Sequence, residues 1–261
     1  MSYENITLER DGEVAVLTIN RPKVLNALNS ATIHEIEKAI EEVAADDAVR
    51  GLVITGAGDK AFAAGADIGE LNALPSAYEG MALSARDHEI LLKLAELPKV
   101  VIAAINGYAL GGGFELALGC DIRLASATAQ VGLPEVTLGL IPGWGGALRM
   151  ARLIGPGMTK YLVMSGERLA AEEAQRLGIV EKVYPPEELL PAAVALARKI
   201  GANAPLATAA AKQLIDRGED MSLRDAIAYE TGLFGHLTAT EDCKEGTAAF
   251  LARRKAEWKA K

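Results

Sequence analysis

Two glutamates near the middle of the chain stand where hydrated surface carboxylates are not expected. Glu115 follows the glycine run at residues 111–113, Glu135 follows Pro134, and both have mainly apolar and glycine neighbours. Each alone could be an acid at the start of a helix, which the helix dipole favours. As a pair around one glycine loop, two poorly hydrated carboxyl groups would have raised and separated pKa values, as general acid–base catalysis requires.

The glycine run itself points to the stabilisation of a negative oxygen. A helix is predicted for residues 114–118, directly after residues 111–113. The first N–H groups of a helix have no acceptor within the helix, and the dipole is positive there. Because glycine has no Cβ atom, a ligand can approach this backbone closely. These amides are therefore candidates for holding a developing oxyanion.

The surrounding elements predict an α/β core followed by a helical C-terminal part. The apolar run at residues 100–105 is typical of a strand buried on both faces. Further strands are predicted at residues 3–10, 13–19, 51–55, 122–125, 130–132 and 178–183. Helices are predicted at residues 30–45, 70–97 with a break at Pro75, 146–153, 159–166, 170–177, 187–200, and from Pro205 to the end. Strands stop near residue 185, and only helices follow.

Composition narrows the class of function. The 261 residues suffice for one large domain, and the net charge of −8 argues against binding to nucleic acid or to an anionic membrane surface. An anionic ligand would need a local cluster of Lys or Arg. Cys120 and Cys243 are expected to be reduced thiols of a cytoplasmic protein. The polar N-terminus does not resemble a signal peptide, and no apolar run approaches the ~20 residues of a membrane helix.

The sequence lacks the motifs of several other kinds of catalytic or cofactor site. The chain has no glycine loop followed by Gly-Lys-Ser/Thr, no Gly-x-Ser-x-Gly elbow and no G-x-G-x-x-G spacing in the glycine run. Its histidines, His34, His88 and His236, are scattered without the spacing of metal ligands. We therefore expect neither a metal site nor a dinucleotide cofactor.

The motifs around the glutamates resemble a known family. The resemblance is strongest in the segments AFAAGADI, IAAINGYALGGGFELALGCD and VGLPEVTLGLIPGWGGALR. It extends along the chain from NRPKVLNAL to EDCKEGTAAFLARRK. They are similar to the enoyl-CoA hydratase/isomerase (crotonase) superfamily. The resemblance implies the α/β crotonase (ClpP-like) fold, with a spiral core of ββα units carrying the active site in residues 1–200. It also implies a helical oligomerisation region in residues 201–261, with the chains forming a homotrimer or a dimer of trimers.

The resemblance also assigns roles to individual residues. The backbone amides of Ala66 and Gly112 match the family's oxyanion hole, and the amide of Gly143 matches one that helps to hold water. Glu115 would orient and deprotonate the attacking water, while Glu135 would deliver a proton to the α-carbon. Positions that match coenzyme A contacts are Lys23, Val24, Leu25, Lys60, Ala61, Ala63, Ala64, Phe234, Phe250 and Arg253. Of these, Lys60 is a candidate phosphate partner, and Phe250 and Arg253 are expected from a neighbouring subunit.

The implied activity is a hydro-lyase reaction of fatty acid β-oxidation, the syn addition of water to a 2-enoyl-CoA, with an acyl-CoA thioester as partner and no separate cofactor. Alternatives within the family are a methylglutaconyl-CoA hydratase or an enoyl-CoA isomerase, although isomerases commonly lack one of the acids. A non-catalytic acyl-CoA or RNA-binding scaffold is the alternative from another class.

Two residues near the glutamates depart from the family pattern. Leu133 replaces a frequent glutamine, which favours a raised pKa of Glu135, and Trp144 either narrows the acyl pocket or fills the core.

Overall fold

The computed structural model describes residues 3–261, which form ten strands, ten α-helices and two 3₁₀ helices. The strands are β1 (Ile6–Asp11), β2 (Val14–Ile19), β3 (Gly51–Gly56), β4 (Ala61–Ala63), β5 (Val100–Ile105), β6 (Tyr108–Leu110), β7 (Ile122–Ser126), β8 (Gln130–Gly132), β9 (Leu169–Ala170) and β10 (Lys182–Tyr184). The α-helices are α1 (Ser30–Ala45), α2 (Ile68–Asn72), α3 (Ala77–Glu96), α4 (Gly112–Leu118), α5 (Gly146–Ser165), α6 (Ala171–Arg176), α7 (Pro186–Gly201), α8 (Pro205–Gly218), α9 (Leu223–Thr238) and α10 (Glu241–Leu251). The 3₁₀ helices are Pro22–Val24 and Glu135–Leu138.

The strands form two sheets. The larger sheet has the order β1-β2-β3-β5-β7-β10, and the smaller has the order β4-β6-β8-β9. The predicted hairpin of β1 and β2 is antiparallel, and every later pair in the large sheet is parallel. In the small sheet, β4, β6 and β8 are parallel, and β9 runs antiparallel to β8.

The chain alternates between the two sheets as a spiral. Strands β3, β5 and β7 lie side by side in the large sheet, and each is followed by a short strand of the small sheet, β4, β6 and β8 respectively. Because neighbours occur in the same order in both sheets, each turn of the chain stacks on the previous one. This is the predicted spiral of ββα units.

The large sheet is covered on both faces, which explains the continuous apolar runs in its strands. One face packs against α7, where Ile102 and Val53 meet Ala193 and Ala197. The other face belongs to the main core, together with α1, α3, α4 and the small sheet. Helix α1 begins as predicted, because the side chain of Asn29 accepts a hydrogen bond from the Thr32 amide at 2.9 Å.

The predicted strand at residues 178–183 is wrong over residues 178–181. Only Lys182–Tyr184 is extended, whereas Gly178 has a φ of +81° and ends the turn after α6. The amides of Ile179 and Val180 donate to the carbonyl of Ala174, and both side chains are buried. The apolar residues that suggested a strand therefore serve the C-terminal cap of a helix.

The helices predicted at residues 146–153 and 159–166 are found as the two halves of α5, which is kinked where Gly155 has the non-helical angles φ 79° and ψ 159°. The predicted C-terminal helix needs correction. At the other end of the chain, α10 stops at Leu251 and residues 252–261 are not helical. There the backbone amides of Lys259 and Ala260 donate to Asp242, so contacts with a side chain replace helical hydrogen bonds.

Polar side chains connect the region after residue 201 to the rest of the fold. The ammonium of Lys212 on α8 lies 3.0 Å from the carboxylate of Asp121 and donates to the carbonyl of Leu94 at 2.7 Å. The indole of Trp258 donates to the carbonyl of Ala202 at 2.8 Å. Large apolar side chains remain exposed in this region: Ile215, Met221, Leu223, Ile227, Phe234, Phe250 and Leu251. No helix in residues 3–261 is both long enough and apolar enough to cross a membrane.

Candidate active site

Three short parallel strands bring the predicted site residues to one edge of the small sheet. Strand β4 leads into Ala66, β6 leads into Gly112, and β8 leads into Glu135. Because β4, β6 and β8 are parallel neighbours, their carboxyl ends lie at the same edge. Sequence reasoning missed β4, β6 and β9, since two or three residues show no periodicity. These strands are nevertheless what places the site.

The backbone amide of Ala66 is left without an acceptor by the way its segment pairs. Leu28 donates to the carbonyl of Gly65 at 2.8 Å and accepts from the amide of Asp67 at 2.9 Å. In such a parallel bridge, the residue between the two bonds directs its own N–H to the opposite side. Within residues 3–261, the Ala66 amide accordingly makes no hydrogen bond.

The amide of Gly112 is also unpaired within the described part of the chain, because Gly112 is the first residue of α4. The preceding Gly111 has φ 52° and ψ −131°, a conformation that glycine adopts and L side chains rarely do. A Cβ at Gly113 would lie 2.0 Å from the carbonyl oxygen of Ala63, so only glycine allows α4 to pack this closely on β4. The Cα of Gly65 lies 3.8 Å from the position of a Cβ at Gly111. The two loops that carry these amides therefore lie side by side.

Glu115 is buried at the fourth position of α4, with only 2% of its surface exposed. Its Oε1 atom accepts hydrogen bonds from the amides of Trp144 and Gly146, both at 2.8 Å. Burial raises the pKa of Glu115, while the amides of Gly146, Trp144 and Gly143, and then the charge of Arg149, act in the opposite direction. Its Oε2 atom receives no hydrogen bond from residues 3–261 and is left for another donor.

Glu135 has a different environment. It begins the second 3₁₀ helix, and both of its carboxyl oxygens are buried without a hydrogen-bond partner in the described chain. Burial raises the pKa of Glu135 to about 7; the charge of Glu115 adds to the rise, and the amide of Glu135 itself offsets part of it. Its Oε1 atom lies 3.1 Å from the position of a Cβ at Gly111, so the carboxyl group abuts the glycine loop. The predicted rise in pKa is thus found for both acids.

The loop at residues 143–145 forms the other wall of the site. The carbonyl of Gly143 accepts from the Ser84 hydroxyl at 2.6 Å, and the carbonyl of Trp144 accepts from Nη1 of Arg149 at 2.9 Å. The Trp144 indole is 7% exposed and belongs to the main core. Its Cζ3 atom also lies 3.1 Å from the position of a Cβ at Gly112.

Trp144 also lines a cavity of about 30 Å³, so it both fills the core and narrows the space beside the site. The apolar wall of this cavity consists of Leu28, Ile33, Ala66, Leu71 and Leu83. Its polar wall consists of Asn29, Ser30, Asp67, Glu70, Arg86 and Asp87.

The residues predicted to contact coenzyme A fall into two groups. Residues 23–25 and 60–64 are adjacent, because the amide of Ala64 donates to the carbonyl of Leu25 at 3.0 Å. Exposed members of this group are Lys23, Val24, Leu25 and Lys60. The side chains of Ala61 and Ala63 are fully buried in β4, so they could meet a ligand only through the backbone.

The second group lies on the C-terminal helices and just after them. Phe234 on α9 is 69% exposed, Phe250 on α10 is 83% exposed, and Arg253 follows α10 in an exposed turn. Helix α9 packs mainly on α8, and α10 packs on α9. Among residues 3–261, no hydrogen bond or ion pair joins these three residues to residues 23–25 or 60–64.

Sequence reasoning missed three residues that shape the site. Asn26 is fully buried with a φ of 57°, and its amide donates to the carbonyl of Ala61 at 2.7 Å, which fastens residues 23–25 to β4. Asparagine after Pro22 is a turn signal that could have indicated this. Ser84 and Arg149 hold the loop at residues 143–145. No local pattern marks Ser84, since it acts on a peptide 59 residues away in sequence.

A sequence model of the family described as Enoyl-CoA hydratase/isomerase matches residues 9–261. The chain belongs to the enoyl-CoA hydratase/isomerase family. Similar members include the short-chain-enoyl-CoA hydratase of Clostridium acetobutylicum, which is 46% identical over 98% of each chain. The crotonyl-CoA hydratase of Syntrophomonas wolfei subsp. wolfei is also 46% identical, over the full length of both chains.

Solved structures of the family agree with the fold described above. The enoyl-CoA hydratase of Bacillus anthracis superimposes with a TM-score of 0.94 at 36% identity, covering 99% of this chain and 100% of that one. The expected crotonase fold of the enoyl-CoA hydratase/isomerase family is therefore confirmed.

Proposed function

We propose that this protein is an enoyl-CoA hydratase that adds water across the double bond of a 2-enoyl-CoA to give a 3-hydroxyacyl-CoA. The observation that carries the proposal is the arrangement of two buried carboxyl groups, Glu115 and Glu135, around a glycine loop that presents an unpaired amide. The names of its family relatives support the same reaction class.

The amides of Ala66 and Gly112 form the oxyanion hole in this proposal. As water adds to C3, the thioester carbonyl gains negative charge and becomes an enolate. Two fixed donors stabilise that oxygen without reorganisation, and losing one such donor typically costs ~10²–10³ in rate. The lack of acceptors for both amides within residues 3–261 supports this role.

The different surroundings of the two acids support a division of labour. Glu115 receives two hydrogen bonds on Oε1, which stabilise its carboxylate, and Oε2 is left to accept a proton from water. Within residues 3–261 Glu135 receives no hydrogen bond, and burial raises its pKa to about 7, so its protonated form is populated at neutral pH. The water oxygen bonds to C3, its proton passes to Glu115, and Glu135 delivers a proton to C2 from the same side. The amide of Gly143, on the loop facing Glu115, holds the water.

Coenzyme A is placed along residues 23–25 and 60–64, with the Lys60 ammonium meeting a phosphate. The contacts between these segments support a continuous surface, and the exposed Lys23 and Lys60 supply local positive charge in a chain of net charge −8. Ala61, Ala63 and Ala64 contribute backbone to this surface. Phe234, Phe250 and Arg253 complete the site, the last two from a neighbouring subunit. No separate cofactor takes part, since coenzyme A is part of the substrate.

A short acyl group is the proposed substrate class. The Trp144 indole lies beside Gly112 and lines the same cavity as Ala66, so it narrows the space next to the two proposed oxyanion amides. A narrowed space favours an acyl group of few carbons. The names of the two relatives, short-chain and crotonyl, point the same way.

The proposed assembly is a homotrimer, or a dimer of trimers, of a cytoplasmic protein. Its subunits would meet through residues 201–261, treated as an oligomerisation region separate from the core at residues 1–200. The exposed apolar side chains of α8–α10 support this division, because such surfaces mark interaction sites. Sedimentation of the purified protein measures the state, and a monomer at micromolar concentration contradicts it.

Turnover of crotonyl-CoA tests the proposed reaction directly. The purified protein is expected to remove the enone absorbance, with long, branched and carboxylated thioesters and 3-enoyl-CoA in the same panel. Glu115→Gln and Glu135→Gln are each expected to lower kcat by at least about 10²-fold, the effect typical of general acid–base residues, while binding of the thioester persists. Wild-type rates in both variants, or tight RNA binding without any turnover, would exclude the proposal.

A further inference from the structure

We propose that Ser84 is a positioning residue for Glu115, acting through the peptide bond between Gly143 and Trp144; this inference rests on the proposed hydratase function. Ser84 lies on α3, and its hydroxyl donates to the carbonyl of Gly143 at 2.6 Å. Nothing in the reaction described above assigns Ser84 a task.

The geometry of one peptide unit transmits the effect. A trans peptide is planar, and its C=O and N–H groups point in opposite directions. The carbonyl of Gly143 is held by Ser84 on one side, and the amide of Trp144, in the same plane, donates to Oε1 of Glu115 at 2.8 Å on the other. Fixing the carbonyl therefore aims the N–H group at the carboxylate.

The loop needs this restraint because of its composition. Residues 143–146 read Gly-Trp-Gly-Gly, and glycine has the greatest backbone freedom of any residue. A serine inside a helix commonly bonds to its own helix or to solvent. Ser84 instead reaches a carbonyl 59 residues away in sequence, from a different element.

A second hydrogen bond holds the next peptide of the loop. Nη1 of Arg149 on α5 donates to the carbonyl of Trp144 at 2.9 Å. The guanidinium also acts directly on Glu115, because its charge lowers the pKa of that carboxyl group. Ser84 is neutral, so any effect that it has on Glu115 passes through the backbone. This difference makes Ser84 the cleaner test of positioning.

Replacing Ser84 by alanine removes the restraint and leaves every charge in place. The charged groups that act on Glu115 are Arg149 of α5 and Glu135 of the 3₁₀ helix, and His88 of α3 lies beside the neighbouring Gly145. Since all three remain, a further rise in the pKa of Glu115 in Ser84→Ala reports the loss of the aimed amide. We expect kcat to fall about tenfold, as for one hydrogen bond of ordinary strength, with KM changed less than twofold. The acidic limb of the kcat profile moves to higher pH.

The experiment compares three variants with the wild type. Ser84→Ala removes the hydroxyl, Ser84→Thr retains it, and Ser165→Ala is the matched control, since Ser165 accepts from a local amide and donates to its own helix. Alanine is the best helix former, so Ser84→Ala is expected to fold, and thermal midpoints check this. Steady-state kinetics across pH give kcat and KM. Carboxyl ¹³C NMR of the ligand-free protein, assigned with Glu115→Gln, gives the titration of Glu115 itself.

Ser84→Thr and Ser165→Ala are expected to match the wild type in kcat and in the titration of Glu115. The inference is overturned if Ser84→Ala titrates and turns over like the wild type, or if a folded Ser84→Thr fails to restore the rate. Because the NMR titration needs no substrate, the two hypotheses fail separately. A wild type that hydrates no enoyl-CoA refutes the proposed function, while an unshifted Glu115 in an active Ser84→Ala enzyme refutes the positioning role.

Discussion

The carboxylate of Glu115 raises the pKa of Glu135, whose own carboxyl group is already buried without a hydrogen-bond partner in residues 3–261. Glu115 is the better stabilised anion, because two backbone amides donate to it. Burial thus raises the pKa of both acids, but backbone amides offset the rise mainly at Glu115. This asymmetry has consequences for rate and for stability that can be measured separately.

The rate of hydration is expected to follow a bell-shaped pH profile. Hydration needs Glu115 charged and Glu135 protonated, so kcat/KM rises as Glu115 loses its proton and falls as pH increases through about 7, where Glu135 loses its own. Initial rates with crotonyl-CoA between pH 5 and 9 measure both limbs. The residual activity of Glu135→Gln should lack the alkaline limb, and an alkaline limb that persists in this variant would assign it to another group.

Glu135 is also expected to make the fold pH-sensitive. Its pKa is about 7 in the folded state against 4.5 as the ordinary value, so the stability it contributes is present below pH 4.5 and is lost as pH rises through 7. Relative to Glu135→Gln, the free energy of unfolding of the wild type should fall between pH 4 and pH 8 by less than the ~3 kcal/mol of the full shift, because the residue is only partly buried and solvent screens its charge. Urea unfolding at a fixed protein concentration measures this, and parallel pH curves would contradict it.

Gly113→Ala is expected to disrupt the contact between α4 and β4. The new Cβ would lie 2.0 Å from the carbonyl oxygen of Ala63, and backbone cannot yield as a flexible side chain does. We expect a loss of about 3 kcal/mol in unfolding free energy and the loss of most activity, because Gly112 and Glu115 move with the helix. Gly157→Ala is the control, since its Cβ would meet nothing within 4 Å. Equal stability of the two variants would refute the steric argument.

Trp144→Phe is expected to widen the acyl range. The smaller ring enlarges the cavity of about 30 Å³ without emptying the core, so the ratio of kcat/KM for hexenoyl-CoA to that for crotonyl-CoA should rise about tenfold. Trp258→Phe, in the C-terminal tail, is the matched control and should leave the ratio unchanged. If both variants keep the wild-type ratio, the indole is not what limits chain length.

Sequence alone predicted the long elements well, for physical reasons that particular residues show. The run at Val100–Ile105 is apolar throughout because both faces of its strand are covered, and the cap at Asn29 is visible because its chemistry is local. The predicted helix beyond Leu251 failed, because Asp242 satisfies the backbone amides of Lys259 and Ala260 instead.

For the site, too, some features could be predicted from the sequence and others could not. Glycines and buried acids are readable from the sequence, so Gly112, Glu115 and Glu135 were predicted as neighbours. The bridge that frees the Ala66 amide depends on Leu28, and the aim of the Trp144 amide depends on Ser84. Both are contacts between distant segments, which no local pattern encodes.

Two adjacent residues of helix α3 contact different parts of the site. Leu83 forms part of the cavity wall, and Ser84 contacts the peptide that faces Glu115. A mutation or insertion that reshapes this helix to admit a new acyl group will therefore also change the position of the peptide that hydrogen-bonds to Glu115. Divergence toward new substrates in this lineage should then proceed through paired changes, with selectivity and turnover evolving together.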